Sequence, residues 1–228
     1  MDAAAALTRR VLVFSSIGHA LMHLMTAFYA VIVLTLAVAW DLPPESLLEL
    51  YAPAAILLGV MSLPAGWASD RFGAPLMMVV MFAGLGLSSI ACGLVAERDT
   101  LSLMLALCGL GIFGAIYHSA GIGWIIRTAR EPGHAMGVNG LWGSAGLALY
   151  GVVPGVLITL ASWRAAFIVP GIVCLGVGAA LAWQIRQGGS ATGQRRGRPA
   201  CRLAAASSGA SSPCSRSPWR SKAFSGRR

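Results

Sequence analysis

The sequence predicts an all-α polytopic membrane protein, and three observations carry that reading. Of 228 residues, 57% are hydrophobic and only 11% are charged, with a mean hydropathy of +0.73. The apolar residues gather into runs of twenty or more, and short polar steps separate the runs. A soluble domain carries roughly 25% charged residues, so the bulk of this chain is solvated by lipid.

A helix needs about 20 apolar residues to cross a hydrocarbon core of roughly 30 Å. Six segments meet or approach that length: 11–40, 47–69, 75–96, 101–126, 136–160 and 163–185. The first is longer than a span requires and is expected to tilt or to begin outside the hydrocarbon. Arg9 and Arg10 before it, and Ala37-Val38-Ala39 near its end, imitate a signal peptide. A signal h-region covers only about 7–15 residues, so the run is read as a retained span. The polar steps 41–46, 70–73, 97–100, 127–134 and 162–164 separate the remaining five. The resulting plan is a cytoplasmic N-terminus (1–10), a six-helix bundle (11–186) and a basic tail (187–228).

Charge sets the orientation. With the N-terminus in the cytoplasm, Arg9, Arg10, Arg71, Arg127, Arg130 and Arg186 lie inside, and only Arg98 and Arg164 lie outside. That arrangement obeys the positive-inside rule. It places a multi-pass protein in the plasma (inner) membrane with both termini cytoplasmic. Residues 1–186 carry as many acidic as basic side chains, so the net charge of +9 belongs to the tail. The tail is rich in Arg, Ser, Ala, Gly and Pro, contains no Asp or Glu, and lacks the apolar content for a core. We read it as disordered. A polybasic segment drawn to anionic lipid and weak nucleic-acid contact are two readings of it. An out-of-frame translation of a GC-rich gene fits its abrupt onset after Ile185 better. No specific nucleic-acid partner is expected.

Cys92, Cys108, Cys174, Cys201 and Cys214 show neither a zinc-site spacing nor a disulfide framework, and no metal or cofactor is assigned. In lipid, helices approach through small residues. In the fourth span Gly111, Ala115, Ser119 and Gly123 fall four apart. In the fifth, Gly140, Ser144 and Ala148 form one stripe, with Gly143, Gly146, Gly151 and Gly155 nearby and Pro154 placed to kink the helix.

The loop between the second and third spans reads Gly66-Trp67-Ala68-Ser69-Asp70-Arg71-Phe72-Gly73. It resembles the G-x-x-x-D-R-x-G signature of the major facilitator superfamily at the same place in the topology. Residues 151–155 resemble that family's glycine–proline motif, and 162–167 its W-R-x-x-F helix start. Tyr117-His118 through Gly121, with Arg127 and 137–140, resemble the fosmidomycin-resistance group of exporters. The resemblance covers roughly residues 11–186 and implies the N-terminal six-helix half of a twelve-span transporter, whose expected partner is a second six-helix half or a second copy of the chain in a homodimer. Asp70 lies past a helix C-terminus, where the dipole opposes an anion, and Arg127 or Arg130 is the expected cationic partner in a latch. Two departures stand out. Ala74-Pro75 follow the signature glycine where basic residues are usual, and the fourth span has no clear counterpart of the arginine common in proton antiporters.

No Asp, Glu, Lys or Arg sits well inside a span. The titratable groups at membrane depth are His19, His23 and His118, and such groups are functional candidates by default. His19 and His23, four apart, share a helix face. With Tyr29 and Asn139 they are expected to line a polar substrate cavity; the alternative for each histidine is a structural hydrogen bond to a neighbouring helix. The function expected is alternating-access transport of a small molecule, incomplete in a single chain, rather than catalysis. Two other readings are a non-transporting fragment or assembly subunit, and an intramembrane serine hydrolase built on Ser144 and His118. The tail reading yields a test. Sequencing the gene across the codons after Ile185 should reveal one extra or missing base whose correction restores a long hydrophobic continuation; an intact frame refutes it.

Overall fold

Every described element is helical. The computed structural model describes residues 3–187; the tail and the readings made for it lie outside them. The helices are α1 (Ala3–Ala27), α2 (Tyr29–Trp40), α3 (Pro44–Glu49), α4 (Ala52–Val60), α5 (Ser62–Phe72), α6 (Ala74–Leu94) and α7 (Thr100–Ile116). A π-helical turn, Tyr117–Gly121, leads into α8 (Ile122–Thr128), followed by α9 (Pro132–Leu149), α10 (Val152–Leu160) and α11 (Trp163–Gln187). Prolines open several of them, Pro44, Pro53, Pro75 and Pro132 each standing in a first turn, where the missing N–H has no intrahelical partner to lose.

Among the described residues these helices give the six predicted spans when each of two bent pairs is counted as one. Four are long and apolar enough to cross a bilayer as they stand: Ala5–Trp40, Ala74–Leu94, Thr100–Thr128 and Trp163–Gln187. The second and fifth are bent pairs, Pro44–Val60 with Ser62–Phe72 at 45° and Pro132–Leu149 with Val152–Leu160 at 41°. Each bend lies just upstream of a proline, Pro64 or Pro154. A proline ring clashes with the carbonyl four residues back and withholds a donor from it. The carbonyls so released belong to Val60, the last residue of α4, and Tyr150, the residue that follows α9. Pro154 is the kink the sequence announced; Pro64 acts in the same way one repeat earlier.

Packing follows a symmetrical scheme. The first span lies against the fifth (α1 on α9), the second against the fourth (α4 on α7) and the third against the sixth (α6 on α11). Exchanging spans one to three with spans four to six leaves this set of pairs unchanged. It also superposes the two bent spans on one another. Three spans per unit means that the units enter from opposite sides, the arrangement of an inverted repeat.

The closest approaches are glycine contacts, as lipid solvation requires. A Cβ on Gly111 would collide with the backbone carbonyl of Ala54, and one on Gly146 with that of Ala20. Gly86 and Gly171 meet each other across α6 and α11, a Cβ on either falling 2.8 Å from the other's carbonyl oxygen. The stripe expected in the fifth span needs correcting. Gly143 and Gly146 are the buried small residues of α9, with Ala135 and Asn139, whereas Ser144 and Ala148 are exposed. Gly140, Gly151 and Gly155 have open space where a Cβ would stand, and the nearest neighbour to Gly123 is the side chain of Arg127, one turn on.

Outside the contacts the surface is apolar. Val38 and Leu63 are 85% and 84% exposed, which would be costly in water and is ordinary in hydrocarbon. The three cysteines at 92, 108 and 174 are free, and Cys92 and Cys174 are buried, as packing residues would be. At one end of the bundle Asp41 pairs with Arg98 at 3.5 Å. Arg164, at the same end, sends Nη1 to the carbonyls of Gly93 and Val95 at 3.0 and 2.7 Å. The Trp-Arg step thus caps the carbonyl end of α6, with the guanidinium 4.3 Å above the Trp163 ring. At the opposite end Thr8 donates to the Thr128 carbonyl at 3.3 Å. Arg98 and Arg164 thus share one end, and Arg9, Arg10, Arg127 and Arg130 flank the Thr8–Thr128 contact at the other.

The glycine contacts make a paired prediction. Gly111→Ala forces α7 away from α4 and should lower unfolding stability in detergent by about 2 kcal/mol, the usual range for overpacking. Gly155→Ala meets nothing and should leave it within about 0.5 kcal/mol. Equal thermal shifts for the two variants would contradict the packing described.

Candidate functional site

The site is assembled from one helix turn of the first span, the π-helical turn of the fourth and the middle of the fifth. The i, i+4 spacing of His19 and His23 puts both rings on one side of α1, and their Nε2 atoms lie 3.1 Å apart. His118 stands in the Tyr117–Gly121 turn, where the widened helix changes the angular position of the side chains after Ile116. Its ring centroid is 5.7 Å from that of His19 and 5.8 Å from that of His23. One nitrogen from each histidine lies within 4.8 Å of the others. His19 and His23 are half-buried and His118 is exposed, so the cluster is reachable from outside the bundle.

Asn139 holds this arrangement together. Its backbone carbonyl accepts from Nδ1 of His19 at 2.9 Å. A carbonyl cannot donate, so Nδ1 carries the proton, and a neutral His19 presents a free lone pair on Nε2. The contact at 3.1 Å is then a hydrogen bond given by His23. The Asn139 side chain accepts from the Tyr117 hydroxyl at 2.9 Å through Oδ1. Its Nδ2 is buried without a partner. Tyr117 stacks on the His19 ring with centroids 4.6 Å apart, and Gly143 lies against the other side, where a Cβ would fall 2.6 Å from Nε2. His19 is thus fixed by a stacked ring, a hydrogen bond and a glycine, each from another span.

Of the cavity residues read from the sequence, His19, His23, His118 and Asn139 come together and Tyr29 does not join them. Tyr29 is buried; its hydroxyl donates to the Leu47 carbonyl at 2.7 Å and its ring stacks on Tyr51. It borders a separate groove of about 490 Å³, shared with Thr26, Leu48, Tyr51, Leu147 and Tyr150. Tyr51 in turn donates to the Thr26 carbonyl. Tyr117 is a member that the sequence reading placed in a motif but not in the site. Its adjacency to His118 is the available signal; the π-helical turn that sets the positions of both side chains is not legible.

The signature loop is a tight turn. Gly73 ends α5 with φ +90°, a conformation glycine adopts without strain, and Gly66 stands across from Ser119, its Cβ position 3.9 Å from the hydroxyl. Asp70, Arg71, Arg127 and Arg130 are all exposed. Among the described residues Asp70 and Arg127 form no ion pair, and the Arg127 guanidinium lies back along its own helix beside Gly123. Ser144, the nucleophile of the hydrolase reading, is exposed where the adjacent Gly143 is buried, and among the described residues it has no hydrogen bond to a histidine.

Comparison with known proteins agrees with this architecture. A family model described as the Major Facilitator Superfamily matches residues 12–228. A probable sulfoacetate transporter of Cupriavidus necator is 28% identical over 116 residues, covering 51% of this chain and 27% of that protein. The tetracenomycin C resistance and export protein of Streptomyces glaucescens is 29% identical over 117 residues, covering 50% of this chain and 21% of that protein. The matched segment therefore spans about a quarter of the length of these curated relatives.

Proposed function

The chain belongs to the major facilitator superfamily, and from that premise we propose that it forms one six-span half of a secondary transporter for a small organic molecule. The observation that carries this reading is the histidine–asparagine–tyrosine cluster. It is a polar group at membrane depth, drawn from the first, fourth and fifth spans, with His118 left accessible. Polar side chains are costly in hydrocarbon and are kept where they meet a substrate, an ion or one another. Alternating access then consists of this bundle rocking against a second one, with the substrate between them. The second bundle is a complementary six-span half or another copy of this chain.

Orientation completes the proposal. The arginine-rich end, with Arg71, Arg127 and Arg130, faces the cytoplasm of a plasma (inner) membrane, and the Asp41–Arg98 end faces out. Asp70 then pairs with Arg127 or Arg130 when the cytoplasmic side closes. The two relatives are named for sulfoacetate transport and for tetracenomycin C resistance and export, so they support small organic cargo as a class. A non-transporting membrane or assembly subunit shares the same bundle and differs only in lacking flux.

Because the proposed site is shared by two bundles, purified chain reconstituted into liposomes should give little or no substrate flux unless two copies associate. Robust flux from the monomer refutes the half-transporter reading. In a complete twelve-span homologue, His118→Ala should lower transport by about tenfold or more, the scale of one lost polar contact of ~1.4 kcal/mol or greater; unchanged flux removes His118 from the cavity. A fluorophosphonate probe should leave Ser144 unlabelled, and labelling there would revive the hydrolase.

A further inference from the structure

We propose that His19, His23 and His118 form a binding site for one divalent transition-metal ion, with Asn139 as the residue that orients His19 for it. Three imidazoles suffice to hold such an ion while leaving a coordination position open, and imidazole suits zinc, copper and nickel. Metal–nitrogen bonds of about 2.0–2.1 Å in tetrahedral geometry place ligand nitrogens roughly 3.4 Å apart. The three nitrogens here lie within 4.8 Å of one another, with one pair already at 3.1 Å. Only His118 needs to turn inward, and it is the exposed member.

The surroundings argue for more than coincidence. Metal-ligating histidines donate their second ring nitrogen to a carbonyl or carboxylate, which fixes the tautomer and leaves the other lone pair free. His19 does this through Nδ1 to the Asn139 carbonyl at 2.9 Å. Its Nε2 lone pair then points at His23, where the ion would replace the hydrogen bond between the rings. His23, whose Nε2 proton makes that hydrogen bond, would move its proton to Nδ1 and stay neutral, so binding through Nε2 releases no proton overall. The stacked Tyr117 ring and Gly143 prevent His19 from turning away. All three ligands are neutral, so a bound ion keeps its full charge and would attract an anionic or lone-pair donor to the open position. The site does not depend on the transport reading, because binding needs only this chain.

The test is titration of the purified full-length chain, in detergent, with Co²⁺ and Cu²⁺ as spectroscopic probes. One equivalent of Co²⁺ should develop visible bands without a thiolate charge-transfer band, and Cu²⁺ should show electron–nuclear coupling to at least two imidazoles. His23→Ala and His118→Ala should each weaken Co²⁺ binding by roughly tenfold or more, and Gly143→Ala, which removes no ligand, by about tenfold through displacement of His19. His134→Ala, at the exposed start of α9, should not change it. If a variant fails to fold by helical circular dichroism, the copper coupling in the unaltered chain decides alone. No stoichiometric binding, thiolate bands from the cysteines, or affinity indifferent to all three substitutions would overturn the site.

Discussion

The fold depends on how closely backbones approach in a solvent that gives helices no hydrophobic reason to associate. Lipid solvates an apolar side chain as well as a neighbouring helix does. Contact must therefore come from dispersion at short range, and glycine supplies the range. Gly111 on Ala54, Gly146 on Ala20 and Gly86 on Gly171 join the spans in three pairs, and those three pairs are the symmetrical scheme of the whole bundle. Polar ties then lock what the glycines bring together. Ser89 donates to the Phe167 carbonyl at 2.6 Å across α6 and α11, and Ser119 to the Ser62 carbonyl at 3.0 Å between the fourth and second spans. Each donor satisfies itself inside the protein, which hydrocarbon demands.

The two bends belong to the same constraint. Interrupting a helix at membrane depth releases backbone groups that lipid cannot satisfy. Around Met61 the damage is limited, because its own N–H still reaches the Leu57 carbonyl at 2.9 Å and the Ser62 hydroxyl donates to that of Leu58 at 3.0 Å. The fifth span resumes just as quickly, with the Gly155 N–H bonded to the Gly151 carbonyl at 3.1 Å. Equivalent bends in equivalent spans keep the two three-helix units alike despite their unrelated sequences.

Much of this was legible before any coordinates. Six apolar runs gave six spans to within a few residues, because run length against bilayer thickness is a one-dimensional question. Pro154, Gly73 and Arg164 likewise act where their local chemistry suggests. What failed was angular. The fifth span offers small residues on two sides, and the sequence offers Gly140, Ser144 and Ala148 as a stripe beside Gly143 and Gly146, of which the structure buries only Gly143 and Gly146. Deciding between the sides requires knowing that Ala20 and His19 lie opposite. The same gap separated Tyr29 from the histidines, and it hid Tyr117. A π-helical turn has no residue signature, yet it rotates every side chain that follows.

The histidine cluster shows how the packing rule reaches the chemistry. His118 is 95 positions from His23 in sequence, so no spacing motif could connect them. Their meeting is a consequence of the first span lying against the fifth and the fourth. Gly143 and Gly146 permit the α1–α9 approach; that approach brings the Asn139 carbonyl within 2.9 Å of His19; and the carbonyl selects the tautomer that turns a lone pair toward His23. A larger residue at 143 would move the ring without touching its chemistry. The glycines of the fifth span are therefore conditions for the site as much as for the fold, and the two cannot be altered independently. Histidine suits such a position because, neutral, it avoids the cost that an ion would incur in the same place. A fixed carboxylate or ammonium would carry its charge into the bilayer whether or not a ligand was present.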